Sequence, residues 1–330
     1  MFTHLYYILK PYLPWTVRMS LRRIFARQMR RKHKEIWPIN EAAGLTPKGW
    51  PGWPEGKKFA VVLTHDVEGP EGLAKCRQLA EFEITLGFRS SFNFIPEGTY
   101  EVPESLREWL TARGFEVGVH DLAHDGSLFR SRKGFKKKVG QVNRYLKAWD
   151  ASGFRSGFML RNLDWIHELD IEYDASTFDT DPFEPQPQGT GTIFPFWIPV
   201  LPPSARSRAP FSPSATAEES IALRRGGYFE LPYTLPQDST LFLLLREPSP
   251  KIWLKKTEWI AERGGMSLVN VHPDYVRFDG ERPSSHTFPV QFYADLLEDI
   301  RIRHANSYWH ATPKSVARYL SSAFSLSYSS

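Results

Sequence analysis

The chain alternates short apolar runs with stretches of helical spacing. Phe59-Ala60-Val61-Val62-Leu63 is a continuous apolar run, as a strand buried on both faces carries. Residues 71–86 place Leu73, Cys76, Leu79, Ala80 and Phe82 along one side of a helix, and Gly87 ends it. Ser91–Ile95 predicts the next strand, 103–113 a helix closed at Gly114, and 115–119 a third strand. A helix near 134–149, strands near 171–176 and 228–231, a helix near 250–263, a strand at 267–271 and a helix near 289–304 complete the series. Alternation of this kind predicts an α/β domain built on a mostly parallel sheet or barrel.

Four segments depart from the rhythm and divide the chain. Residues 1–36 form a basic arm in which Val17, Leu21, Phe25 and Met29 recur every four positions, with Ile24 beside them and arginines on the other faces. This is a basic amphipathic helix over 15–31. It suits an anionic membrane surface, and it equally suits packing on its own domain. Residues 37–57, rich in Pro, Gly and Trp, read as a linker into the domain of 58–320. Within that domain 182–213 holds nine of the 26 prolines together with Phe183, Phe194, Phe196, Trp197 and Phe211. Such density opposes helix and central strand, so a long loop over the domain is expected, lining a groove or forming a small core of its own. Residues 321–330 read as a frayed tail.

Charge separates the arm from the body. Residues 1–35 carry nine bases and one acid, so the net charge of +5 hides a slightly acidic remainder. A uniformly basic nucleic-acid binder is thereby disfavoured, and the Arg130–Lys138 run, in which aromatics do not alternate with the bases as stacking platforms would, reads as a solvated helix face. One cysteine, Cys76, excludes an intramolecular disulfide framework. The absence of a long apolar run or a secretory pattern points to a cytoplasmic, bacterial protein, peripheral at the inner face of the membrane if the arm docks there.

Three strands end in ionisable residues, where α/β folds place their sites. They are Thr64-His65-Asp66-Val67-Glu68, His120-Asp121-Leu122-Ala123-His124 and Asn270-Val271-His272-Pro273. His120 and His124, spaced i, i+4, would share one side of a helical turn within reach of one ion. Asp66 and Glu68 share a strand face and could enter one cavity, one as ligand and one as base. Two histidines and a carboxylate with an open fourth position make a hydrolytic zinc pattern.

In order, THDVE, HDLAH, FRSGF, FDTDPF and LVNVHP resemble the motifs of the polysaccharide deacetylase family (the NodB-homology domain of carbohydrate esterase family 4). The resemblance spans roughly 58–320. It implies a distorted (β/α) barrel of about seven strands, a divalent metal, usually zinc, and hydrolysis of an acetyl group, most often N-acetyl, on a sugar or polysaccharide precursor. By position it makes Asp66 the base and His120 and His124 metal ligands. Arg155 would hold Asp66 ionised, the Phe158 backbone N–H would bind the oxyanion, and His272 would protonate the leaving amine. Asp179 or Asp181 would orient His272. Val67 stands where the family has a second, metal-binding aspartate, so Glu68 becomes the expected third ligand. Gly157 replaces a proline, and His65 replaces an aromatic in a packing or supporting role. The variant first motif also admits a degenerate fold that binds glycan without catalysis.

Overall fold

The structure, a computed structural model, describes residues 15–200 and 226–326, with side chains from 22 to 200 and from 226 to 324. Helix α1 (Trp15–Lys32) precedes β1 (Phe59–Val67), whose nine residues are all buried. Then come α2 (Pro70–Leu86), β2 (Ser91–Phe94), α3 (Glu104–Thr111), β3 (Glu116–His120), α4 (Arg132–Ala148) and β4 (Gly153–Arg155). A short α5 (Leu163–Ile166), β5 (Tyr173–Asp174), β6 (Phe196–Pro199) and β7 (Gly227–Glu230) lead to a π-helical turn at Ser239–Leu244. The chain continues through α6 (Lys251–Arg263), β8 (Met266–Asn270), a small pair β9 (Val276–Arg277) and β10 (Phe288–Pro289), α7 (Gln291–Arg303), β11 (Tyr308–His310) and α8 (Pro313–Leu326).

Seven parallel strands run β8-β1-β2-β3-β4-β5-β7 around a curled sheet. The Thr234 and Leu235 amides donate to the Leu268 carbonyl at 3.1 and 3.0 Å, which carries the segment after β7 back to β8. The expected distorted (β/α) barrel is therefore the fold. An eighth parallel strand, β11, pairs with Phe59–Val61 and leaves Thr64–Val67 of β1 to β2. Alternation along β1 then sorts its side chains. Val61, Leu63, His65 and Val67 turn toward the helices, whereas Ala60, Val62, Thr64 and Asp66 turn into the barrel. Ala60 and Val62 join Phe229, Leu231 and Leu268 in an apolar floor. Burial of each such large side chain contributes roughly 1.5–3 kcal/mol relative to exposure. Above that floor, at the carboxyl ends of the strands, the lining becomes polar.

The boundaries differ from expectation in three places, and α1 takes one of its two expected placements. Residues 37–57 do not link; Trp37, Ala43 and Trp53 are buried against the barrel, and the Trp53 indole donates to the Gly264 carbonyl at 2.8 Å. The proline-rich stretch includes an antiparallel edge strand, β6, which proline tolerates because one side lacks a ladder partner. Its Phe194 packs into the main core beside Trp50, while its later part, with Phe211, lies outside the described residues. The tail expected from 321 is helical through Leu326. Finally, α1 lies on the domain: Ala26 is buried, Arg23 donates to the Leu243 carbonyl at 3.2 Å, and Arg30 pairs with Glu247 at 2.5 Å. Ile24 and Phe25 face outward, each 54% exposed. Val17 and Leu21 of the predicted stripe lie outside the described side chains.

Candidate active site

Asp66 sits inside the barrel at the end of β1, clamped by two amides. Asn93 Nδ2 donates to one carboxylate oxygen and Asn270 Nδ2 to the other, each at 2.8 Å. Arg155, fully buried, brings Nε to 3.5 Å from Asp66 and donates to Thr64 Oγ1 at 3.1 Å. Burial opposes the charged form, but Arg155, then His120 and His272, with the Asn93 amide, hold the Asp66 carboxyl below the usual carboxylate range. Neither amide was singled out from the sequence. Their signal is a polar residue inside an otherwise apolar strand, Phe92-Asn93-Phe94 and Leu268-Val269-Asn270.

Glu68 lies just past β1, and the turn after His272 positions it. Asp274 accepts from the Glu68 amide at 2.9 Å and from the Gly72 amide at 3.1 Å. A Cβ on Gly72 would sit 2.0 Å from the Asp274 carboxylate, so only glycine admits that approach. The Tyr275 hydroxyl donates to Glu68 Oε2. Burial would raise the Glu68 pKa; His272, His124 and the Tyr275 hydrogen bond outweigh it and lower it.

Glu68, His120 and His124 each offer a ligand atom, all within 4.8 Å of one another. The pairing of the imidazoles, 4.8 Å between ring centroids, does not come from the expected helical turn. Residues 121–126 are a loop in which Asp121 and His124 take left-handed φ values of 58° and 51°. Such backbone is uncommon outside glycine and clusters at functional sites. His120 Nδ1 faces the Arg155 carbonyl at 3.1 Å, which favours the tautomer that leaves a lone pair on Nε2. The Nε2 atoms of both histidines are buried and lack hydrogen-bond partners among the described residues. Burial, aided by neighbouring His120, lowers the His124 pKa to about 4, so its imidazole is neutral. Two imidazole nitrogens without hydrogen-bond partners beside an ionised carboxylate are the donor set a divalent cation takes.

The strand β4 leads Arg155 into Ser156-Gly157-Phe158. The Gly157 amide donates to Asp121 at 3.2 Å, and a Cβ there would lie 2.4 Å from that carboxylate and 2.8 Å from the His124 ring. Proline could neither donate nor fit, which explains the departure from the resembled motif. Phe158, at φ 55°, stacks its ring on His124 with centroids 4.3 Å apart and is 46% exposed.

His272 faces this group from just past β8, Nε2 at 3.8 Å from Glu68. Its orienting acid is neither Asp179 nor Asp181 but Asp238. That carboxylate, fully buried, takes the His272 ring at Nδ1, 2.6 Å, and its backbone amide at 2.7 Å. Asp179 instead forms a buried pair with Lys256 at 2.7 Å, and Asp181 accepts from Tyr233 at 2.9 Å. Burial alone would lower the His272 pKa, but Asp238, with Glu68 and Asp66 behind it, raises it to about 10. Asp238 escaped sequence reading because it follows no strand and stands 34 residues before its partner. His65 points away from the cavity, its nitrogens against Glu83 and the Val271 carbonyl, both at 2.8 Å.

Asp66, Glu68, His120, His124, Phe158 and His272 line one cavity of about 400 Å3, walled also by Phe183, Glu184 and Gln237. Arg155 lies beneath it.

No family model and no curated protein matches the chain. Among solved structures, a Mycobacterium smegmatis protein described as a polysaccharide deacetylase is similar in fold, with TM-score 0.56 and 18% identity, over 83% of this chain and 94% of that one. A carbohydrate esterase family 4 domain of a multidomain xylanase from the hindgut metagenome of Trinervitermes trinervoides scores 0.42 at 13% identity, covering 79% and 90%. A pseudoenzyme of the same family from Bacillus anthracis scores 0.41 at 14%, covering 81% and 67%. The chain has the NodB-like barrel fold.

Proposed function

We propose that the protein is a metal-dependent hydrolase that removes an acetyl group, from nitrogen, on a sugar or polysaccharide precursor. One observation carries this reading: two unpartnered imidazoles and Glu68 share a cavity with an ionised Asp66 and a protonated His272. Glu68, His120 and His124 would hold the ion, by their donor set zinc. Once bound, it would polarise the acetyl carbonyl and acidify a water.

The chain's own groups supply the rest. Asp66 accepts the proton of the attacking water, and its amide clamp and Arg155 keep it ionised for that task. The Phe158 N–H donates to the developing oxyanion. His272 gives its Nε2 proton to the departing nitrogen, while Asp238 holds the ring in orientation and favours its reprotonation by solvent. The exposed Phe158 ring and Phe183 offer apolar faces to a pyranose.

The outward face of α1, with Ile24, Phe25, Arg27 and Arg31, supports peripheral contact with an anionic membrane, at the cytoplasmic face; nucleic acid is not a partner. Elemental analysis joined to an acetate-release screen over chitooligosaccharides and sugar phosphates tests the enzymatic reading. One bound zinc and acetate release that Asp66→Asn and His124→Ala each abolish is the expected result. A folded protein that takes up no metal and binds glycan unchanged would establish a non-catalytic module instead.

A further inference from the structure

One arginine lines the cavity without a part in acetyl hydrolysis, and further arginines cluster behind it. Arg22 of α1 lines the same cavity as Asp66, Glu68, His120 and His124, and Leu243 and Leu244 line it from the π-helical turn. Arg23 ties the two elements together through the Leu243 carbonyl, and its Nε is buried without a hydrogen-bond partner. Arg246 follows that turn with a left-handed φ of 59°. Arg246 and Arg27 stand close enough to Arg23 that their charges, added to burial, lower its pKa. Of the arginines between 22 and 31, Arg30 alone has a carboxylate partner among the described residues, namely Glu247. Arg246 has none there either.

Like charges held together repel, and a cluster of guanidinium groups gains most from a multivalent oxyanion, which each planar fork can grip with two hydrogen bonds. No carboxylate among the described residues neutralises Arg22, Arg23 or Arg246 as Glu247 does Arg30. Of the three, Arg22 lines the cavity itself, and Arg23 and Arg246 flank Leu243 and Leu244 of its wall. We propose that Arg22, Arg23 and Arg246 form a phosphate-binding rim, and that the substrate is an acetylated sugar carried on a phosphate or diphosphate ester. This rests on the acetyl-hydrolase reading.

The test compares acetate release from N-acetylglucosamine 1-phosphate and from methyl N-acetylglucosaminide by the zinc-loaded protein and by the Arg22→Ala/Arg246→Ala variant. Loss of two charge-assisted contacts should cut the preference for the phosphorylated substrate, measured as a ratio of kcat/KM values, by roughly 10–100-fold. Arg22→Lys/Arg246→Lys, which keeps charge and removes the fork, should recover part of it. An equal ratio in all three proteins overturns the proposal. Sedimentation with phosphatidylglycerol vesicles separates the other source of phosphate: a variant that loses vesicle binding with its substrate ratio intact has lost a headgroup contact, which also overturns it. If the wild type releases acetate from neither compound, the hydrolase reading has failed by itself. Calorimetric binding of N-acetylglucosamine 1-phosphate then decides the rim, tenfold weaker in the alanine variant if it is right and equal if it is wrong.

Discussion

Two buried histidine–carboxylate pairs sit within one barrel and do different work. His65 and Glu83 lie between β1 and α2; His272 and Asp238 lie at the cavity. The partner acid is at hydrogen-bond distance in both. What differs is the second nitrogen. His65 spends Nδ1 on the Val271 carbonyl, and its acid is further held by Ser90 and Tyr293, so nothing is left to exchange a proton. His272 uses Nδ1 for Asp238 and turns Nε2 toward the cavity. A carboxylate partner therefore marks a charged or oriented histidine, and an accessible second nitrogen marks a reactive one.

The largest expected effect tests that division directly. His272→Gln should lower kcat for acetate release by roughly 10²–10⁴-fold, and because it strands the buried Asp238 carboxylate it should lower the melting temperature as well. His65→Leu should act on stability alone. It leaves Glu83 buried without its imidazole donor, at a cost of about 3–5 kcal/mol, while the folded fraction keeps its kcat. Equal losses of kcat in both variants would erase the distinction.

The acids should separate in the same way. Asp238→Asn keeps the shape but not the charge, and should lower kcat by about 10²-fold or more. Asp179→Asn touches no reacting group and strands the buried Lys256 ammonium, so denaturant midpoints should register it and initial rates should not. A kinetic defect in Asp179→Asn would return that residue to the role the motif order first implied.

Glu68 gives the next step down. Tyr275 reaches it from the turn after His272, so one segment carries both the proposed proton donor and the group that orients the proposed metal ligand. Tyr275→Phe should weaken zinc binding by roughly 10–100-fold in a chelator competition, with the fold unchanged. Unaltered affinity would mean that Asp274 and the backbone suffice to place Glu68.

The residues that made the fold legible were those with a period. The apolar run of β1, the helical spacing of α2 and the strand-end positions of Asp66, His120 and His272 all lie where local pattern and global fold agree. Asp238, Asp274 and Tyr275 are legible only in three dimensions, because turns carry them and their partners lie more than 30 residues away. The structure brings His120 and His124 together, but on a different backbone from the one their spacing implied. Two left-handed residues and the close approach of Gly157 bring the rings together where a helix was expected. Tryptophans misled at 37–57, where Pro and Gly implied a linker but Trp37 and Trp53 buried themselves in the core.

A third buried acid group sharpens the comparison, because it has no histidine of its own. Glu83, beside the His65 imidazole, and Asp66, beside Arg155, are held below their usual range, whereas Asp181 and Glu184 share Tyr233 and are pushed up, to about 6 and about 8, by burial, with Asp179 adding to the first and Asp181 to the second. A carboxyl whose folded pKa lies above its unfolded value binds more protons when folded, so its contribution to stability declines as pH rises between the two. For Glu184 that window runs from 4.5 to about 8. Glu184→Gln, which keeps an acceptor for Tyr233 and Gln237, should leave the melting temperature unchanged near pH 4 and raise it by a few degrees at pH 8. Part of the slope up to about pH 6 survives, because Asp181 keeps its own raised pKa. Parallel melting curves for the two proteins from pH 4 to 8 would show that Glu184 is ionised in the folded state, so that burial beside Asp181 does not set it apart from the other acids.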